Sequence, residues 1–188
     1  MSRKFFIALF IIGIIYILTP GPSTITDFQP IPKSFKSDEP GDTYQVKDVA
    51  AYFSDLNRGE ITKYYRDQLR KNFIFGWLIP PISLNYPPIM AFQYVRDRLE
   101  QSTFLEEYVY PLRGSLFVNG YEPSVDSEIK KNTKPISGGP MEVYGKYYKS
   151  KTTIRYYPAA WHVSLVTYIG IWVTSIFLFR IFRKAVKE

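Results

Sequence analysis

The 188-residue sequence contains no cysteine, and its single histidine is His162. The absence of cysteine excludes disulfides and thiolate zinc ligands, and one histidine cannot complete the usual zinc sets. His162 lies at the start of an apolar stretch, which favours an interfacial side chain over the base of a nucleophile triad. No G-x-S-x-G motif and no nucleotide-binding glycine pattern occurs. The sequence therefore predicts no catalytic residues, no metal site and no cofactor.

The net charge of +7 is concentrated at the two ends of the chain. The terminal basic residues are Arg3, Lys4, Arg180, Arg183, Lys184 and Lys187. The region between them is nearly neutral, so the sequence does not predict nucleic-acid binding, which needs a basic face on the folded part. The positive-inside rule places both ends in the cytoplasm. The missing cysteines and the absence of an N-x-S/T sequon favour a prokaryotic plasma membrane, with the central domain outside.

Long apolar runs occur in two terminal blocks. Residues 161–179 would rise about 28 Å as a helix, close to the roughly 30 Å thickness of the hydrocarbon core, and predict a transmembrane helix. Residues 5–19 are predicted as a second transmembrane helix or an uncleaved signal anchor. Cleavage is disfavoured because prolines flank the small residues Gly21 and Ser23. Residues 1–4 and 180–188 then form cytoplasmic tails, of which the second is strongly basic.

Between the terminal blocks, the sequence predicts a linker followed by one domain. Residues 20–45 are rich in proline and predict an extended linker. Residues 46–157 predict an extracytoplasmic α+β domain with about three helices and a small antiparallel sheet. Apolar spacing predicts helices beginning at residues 46, 61 and 87, and alternation predicts strand hairpins over 103–122 and 141–157. The predicted fold class is therefore an α+β domain held between N- and C-terminal transmembrane helices.

The apolar, proline-rich segment 73–92 allows three interpretations. A membrane span is disfavoured because four prolines would leave helical hydrogen bonds unmet in lipid, and a third crossing would put the C-terminal basic tail outside. A buried connector between two helices is favoured. The third interpretation is a loop over residues 73–82 whose Phe, Trp and Ile side chains enter the membrane interface or contact a partner subunit.

Aromatic residues make up 18% of the sequence and include 16 tyrosines. Strand packing is the plainest explanation, while protein interfaces and glycan stacking remain open alternatives. The residues predicted to contact a partner or the membrane interface are Phe75, Trp77, Ile79, Tyr147, Tyr148, Tyr156, Tyr157 and Trp161.

These features predict a two-pass membrane protein with an extracytoplasmic binding or scaffolding domain, an accessory subunit of an envelope or membrane complex. Its expected partners are the lipid bilayer, a protein or a second copy of the chain, and an envelope glycan. An enzyme is less favoured. Its most concrete form is a glycan-acting enzyme using Glu106 or Glu107, which point to opposite faces of a strand and would need another carboxylate. A second alternative is a sensor or a regulator of polysaccharide chain length.

Overall fold

A six-stranded antiparallel sheet forms the centre of the fold. The computed structural model describes residues 3–39, 42, 47–95, 102–122 and 141–186. The strands of the sheet are β1 (Phe35–Lys36), β2 (Val49–Ser54), β3 (Ile82–Tyr86), β4 (Phe104–Tyr110), β5 (Gly114–Tyr121) and β8 (Ser150–Pro158). Their spatial order is β1-β2-β8-β5-β4-β3. A separate two-stranded hairpin is built from β6 (Met141–Val143) and β7 (Lys146–Tyr148).

Four α-helices and two short 3₁₀ helices occur in the described part of the chain. The α-helices are α1 (Arg3–Leu18), α2 (Arg58–Asn72), α3 (Ala91–Val95) and α4 (Trp161–Ala185), and the 3₁₀ helices span Ile25–Asp27 and Pro88–Met90. The start of α2 is a capping box, in which Glu60 N donates to the Asn57 side chain at 3.0 Å and Asn57 N donates to the Glu60 carboxylate at 2.9 Å. Two orphan amides are thereby satisfied. The helix begins at Arg58, three residues before the predicted start at residue 61.

Helix α2 covers one face of the sheet and supplies the main core. Its residues Ile61, Tyr65 and Leu69 are fully buried and share one cluster with Leu116 and Ile154 of the two central strands. Burial of each such aliphatic side chain contributes roughly 1.5–3 kcal/mol. On the opposite face, a smaller cluster contains Ala91, Val95, Leu105 and Phe117. The sheet is therefore packed on both faces, with α2 on one side and α3 on the other.

The two apolar helices pack against each other outside this core. The ring of Phe10 in α1 stacks on Tyr168 of α4 at 5.7 Å and meets Trp172 edge-on at 5.6 Å. Gly13 allows this approach, since a Cβ there would lie 2.1 Å from the Tyr168 hydroxyl oxygen. Helix α4 begins three residues after β8 ends at Pro158. Most of its apolar surface is exposed.

The structure contradicts the predicted fold class. Among the described residues, Trp161–Ala185 is the one helix long and apolar enough to cross a membrane, judged by length and composition alone. The N-terminal helix has 16 residues and rises about 24 Å, which is short of the roughly 30 Å hydrocarbon thickness. It is therefore not the predicted transmembrane helix. The sheet is also larger than predicted, because six strands rather than two local hairpins assemble into it.

Two further element predictions are wrong. The stripe predicted as a helix from residue 46 contains strand β2, whose residues are all buried. The predicted hairpin over 141–157 does not form, because β8 pairs with β2 on one side and β5 on the other, while β6 pairs with β7. The predictions for α2 and for the hairpin of β4 and β5 are confirmed. The third predicted helix contains α3, and its end at Leu99 lies outside the described residues.

Candidate functional site

One end of the sheet gathers both apolar helices and the apolar segment that follows α2. The turn between β4 and β5 lies there, as do the start of β3 and the end of β8, because Ile82 pairs with Val109 and Gly114 pairs with Pro158. Helix α4 leaves from this end, and the last turn of α1 packs against it. We call it the helical end of the sheet. Its residues form the candidate functional site.

Arg113 is the central polar residue of the helical end. It lies in the turn between β4 and β5, where Leu112 adopts a φ of 61°. Its guanidinium donates to the carbonyl oxygen of Tyr16 and, at 2.6 Å, to the hydroxyl of Thr19. It also lies 4.9 Å from the ring centroid of Phe73. The last carbonyls of a helix lack intrahelical donors, so this cation stabilises the end of α1.

Arg113 is only 8% exposed, although it is charged. Burial lowers the pKa of its guanidinium from the ordinary value, while the neighbouring Tyr16 and Tyr156 oppose that shift. A cavity of about 250 Å³ adjoins the side chain, and Thr19, Ser23 and Trp161 are among the residues lining it. The arrangement ties the end of α1, the sheet and the start of α4 into one unit.

The segment after α2 forms a series of tight turns with an exposed apolar surface. Gly76 N donates to Phe73 O and Ile79 N donates to Phe75 O, both at 2.9 Å. Arg70 Nε donates to Gly76 O at 3.1 Å. The favoured prediction of a buried connector over 73–92 is wrong, because most apolar side chains from Ile74 to Ile89 are exposed. The segment continues into β3, which is an edge strand of the sheet.

The structure brings four of the eight predicted interface residues together. Phe75, Trp77 and Ile79 lie in the turns after α2, and Trp161 starts α4, so these four share the helical end. Trp77, Ile79 and Trp161 are exposed, while Phe75 is half-buried.

The four predicted tyrosines have different surroundings, and two of them, Tyr156 and Tyr157, lie near the end of β8. Tyr156 is buried, and its hydroxyl donates to Pro22 O at 3.1 Å. Tyr157 faces α3, where its hydroxyl donates to Tyr94 O at 2.6 Å. Tyr148 is buried against Phe53. Tyr147 is exposed on the β6–β7 hairpin. Of these four tyrosines, Tyr147 alone presents a large free surface.

The two candidate carboxylates point to opposite faces of β4, as the sequence predicts. Arg58 donates to Glu106 Oε1 through Nε at 2.9 Å and through Nη2 at 2.6 Å. The Tyr108 hydroxyl donates to the other oxygen of Glu106 at 2.5 Å. On the opposite face, the Tyr86 hydroxyl donates to Glu107 at 2.6 Å, and this hydrogen bond raises the pKa of Tyr86 to about 12. Both carboxylates are thus engaged by neighbouring side chains.

Glu122 shares its hydrogen-bond partner Arg58 with Glu106. Its Oε1 accepts a hydrogen bond from Arg58 N at 2.5 Å, and its residue is buried. Burial raises the pKa of Glu122, while the hydrogen bond from Arg58 opposes the rise. Sequence reasoning missed the roles of Arg58 and Arg113, because both acquire partners far away in the chain.

Comparison of the chain with family models, curated proteins and solved structures finds no match. Among the described residues, no group of three or more His, Asp or Glu side chains is placed to hold a metal ion. His162 meets the ring of Trp161 edge-on at 5.8 Å.

Proposed function

We propose that the chain is a binding or scaffolding module anchored to a membrane by α4, and that it serves as an accessory subunit of a membrane complex. The observation that carries this proposal is the exposed apolar surface of α4, 25 residues long, directly after the central strand β8. A helix of that length rises about 37 Å and exceeds the roughly 30 Å hydrocarbon thickness. In this proposal α1 is a shorter companion that packs on the anchor.

Charge supports an orientation for the anchor. Arg183 and Lys184 occupy the last turn of α4, and Arg180 precedes them. Basic residues flanking a membrane helix favour its cytoplasmic side. The basic end of α4 then lies in the cytoplasm, and the sheet lies outside the plasma membrane of a prokaryote.

Binding is favoured over catalysis because the best-placed carboxylates are already engaged. Glu106 accepts hydrogen bonds from Arg58 and Tyr108, and Glu107 accepts one from Tyr86. A general acid or base must instead reach the proton of a substrate. Exposed aromatic side chains on the β6–β7 hairpin offer a contact surface for a protein partner, since such residues are enriched at interfaces.

The anchor is tested by placing aspartates at two exposed positions of α4. We expect the double variant Val166→Asp and Val173→Asp to move from the membrane pellet to the soluble fraction after alkaline extraction, because an aspartate at a helix centre costs roughly 2.5–3.5 kcal/mol on insertion. The matched control replaces the same two residues with leucine and should stay in the pellet. Equal extraction of both variants would contradict the anchor.

The scaffolding role is tested by photo-crosslinking in native membranes. A crosslinking amino acid replaces Tyr147, which is exposed on the β6–β7 hairpin, and a control places it at Lys63, which is exposed on α2. We expect a protein adduct from Tyr147 that is absent from Lys63. A chain that yields no specific adduct, and that purifies from mild detergent as a lone monomer, would refute the scaffolding role.

A further inference from the structure

The turns between α2 and β3 carry several large apolar side chains that are exposed and do not belong to the core. We call residues 73–81 the apolar loop. Trp77 is 75% exposed, Leu78 is 62% exposed and Ile74 is 54% exposed. Neighbouring exposed apolar side chains of this size mark a surface that a partner or a membrane covers.

Hydrogen bonds hold the backbone of the apolar loop in the conformation that exposes these side chains. Internal turns hold the backbone, and the Tyr110 hydroxyl donates to Ile79 O at 2.9 Å. Gly76 lies so close to α2 that an added Cβ would be 1.9 Å from Arg70 O. The backbone is therefore attached to both α2 and β4, while the side chains of Trp77 and Leu78 remain exposed.

The apolar loop lies at the helical end of the sheet, where α4 departs. Its first residue, Phe73, packs on Arg113, and Arg113 O accepts a hydrogen bond from Ala159 N at 3.1 Å, just before α4 begins. Tyr16 and Ile79 line one recess beside Arg113. The exposed side chains of the loop are thus continuous with the apolar helices. Because the apolar helices are the proposed membrane contact, this continuity favours lipid as the partner that covers the apolar loop.

Charge at the border of the loop agrees with that choice. A cavity of about 330 Å³ is lined by Trp77, Arg70 and Lys71, together with Asp67. The two cations belong to the last turn of α2. Tryptophan is enriched at the membrane–water interface, and basic side chains attract anionic headgroups. An apolar tip bordered by two cations fits the boundary between acyl chains and headgroups.

We propose that the apolar loop inserts into the outer interfacial layer of the bilayer beside α4 and fixes the sheet against the lipid surface. Trp77 and Leu78 enter the acyl boundary, while Arg70 and Lys71 contact anionic headgroups. The inference rests on the proposed anchoring by α4. The two can fail separately, because the loop and the anchor carry different tryptophans.

The test measures fluorescence quenching of single-tryptophan variants by brominated lipids. The full chain is reconstituted into vesicles of phosphatidylcholine and phosphatidylglycerol that carry bromine either near the headgroup or near the bilayer centre. One variant, Trp161→Phe with Trp172→Phe, retains Trp77 in the loop. A second variant, Trp77→Phe with Trp161→Phe, retains Trp172 in the middle of α4. We expect Trp77 to be quenched most by shallow bromine, and Trp172 most by deep bromine.

The matched control carries its tryptophan at Ile89, with Trp77, Trp161 and Trp172 replaced by phenylalanine. Ile89 is 73% exposed, close to the 75% of Trp77, but it follows the end of β3 that is remote from the helical end. Ile89→Trp should show no quenching. If Trp172 is quenched and Trp77 is not, the insertion of the loop is refuted while the anchor stands. If neither is quenched, the anchor fails and the loop proposal fails with it. Equal quenching at positions 77 and 89 also refutes the loop proposal.

A second measurement keeps all three tryptophans. Because the sequence has no cysteine, Leu78→Cys and Ile89→Cys each provide one attachment point for a polarity-sensitive dye. In the same vesicles, the dye at position 78 should report an apolar environment. In the variant with the two α4 aspartates, which is studied in detergent-free buffer, the same dye should report water. The dye at position 89 should report water throughout. An aqueous signal at position 78 in vesicles, or an apolar signal there only in the presence of a co-purified protein, would overturn the proposal.

Discussion

Tyr65 lies on the buried face of α2 with its side chain fully enclosed, and the described residues offer its hydroxyl no hydrogen-bond partner. Burial raises the pKa of Tyr65 well above its ordinary value of 10.0, so the hydroxyl stays neutral. Its ring packs edge-on against Tyr64 at 5.3 Å. The substitution Tyr65→Phe removes the hydroxyl and preserves this packing. We therefore expect the folded protein to gain stability.

The expected gain follows from the cost of burying an unpaired polar group. That cost is about 1–3 kcal/mol, and phenylalanine removes it without changing the shape of the ring. We expect the free energy of unfolding to rise by ~1 kcal/mol, the lower end of this range, because a small cavity replaces the oxygen. A change of this size would raise the melting temperature by about 4 °C for a domain of this length.

Two other buried tyrosines provide matched controls with the opposite sign. The Tyr110 hydroxyl donates to Ile79 O at 2.9 Å, and the Tyr156 hydroxyl donates to Pro22 O at 3.1 Å. Tyr110→Phe and Tyr156→Phe each lose a hydrogen bond and leave a carbonyl with one donor fewer. Each should lower the free energy of unfolding by about 1 kcal/mol.

The assay is thermal unfolding of the full chain in detergent micelles, followed by far-ultraviolet circular dichroism. Tyr65→Phe should have the highest melting temperature, the wild type should follow, and the two control variants should have the lowest. The reasoning is refuted if Tyr65→Phe melts as low as Tyr156→Phe, since its hydroxyl would then contribute a hydrogen bond of similar strength.

Three further predictions concern other single positions. Glu122→Gln should flatten the pH dependence of stability. Burial raises the folded-state pKa of Glu122, so the stability that its protonated form contributes is complete below the ordinary value of 4.5 and is lost as the pH rises through the folded-state pKa. Melting temperatures measured across this range check it, and an unchanged slope would contradict it. Gly76→Ala should lower the free energy of unfolding by roughly 1–3 kcal/mol, because its Cβ meets Arg70 O. Gly170→Ala meets open space inside α4 and should not lower it in the same assay. Arg113→Leu should expose the junction between α1 and the sheet to limited proteolysis, since the end of α1 loses the donor that the sheet supplies. Unchanged cleavage there would show that α1 is held by other contacts.

Local patterns predict α2 well because they determine it almost completely. Ile61, Tyr65 and Leu69 define the face that packs on the sheet, as the sequence predicts. The capping box at Asn57, which starts the helix at Arg58, was not predicted. The same approach fails for β2, because Val49 and Phe53 have a spacing that a helix and a fully buried strand share. A strand buried on both faces loses the alternation by which strands are recognised.

The place of β8 could not be predicted from neighbouring sequence. A hairpin with the preceding strand was the local expectation, but Ile154 pairs with Ala50 of β2 and Val118 of β5 instead. Such long-range pairing depends on which buried surfaces fit together, and a single sequence does not display that information. The candidate site suffers from the same limitation. Composition indicates that Trp77 belongs to an apolar segment, while its exposure at the helical end follows from the turns that attach this segment to α2 and β4.

The central position of β8 also determines when the sheet can close during synthesis. Strands β1 and β2 lie on one side of β8, and β5, β4 and β3 lie on the other, so the two halves remain unjoined until β8 has been made. Helix α4 emerges from the ribosome directly afterwards. Final assembly of the sheet therefore coincides with delivery of the apolar helix, and until then both halves leave strand edges that can pair with the wrong chain.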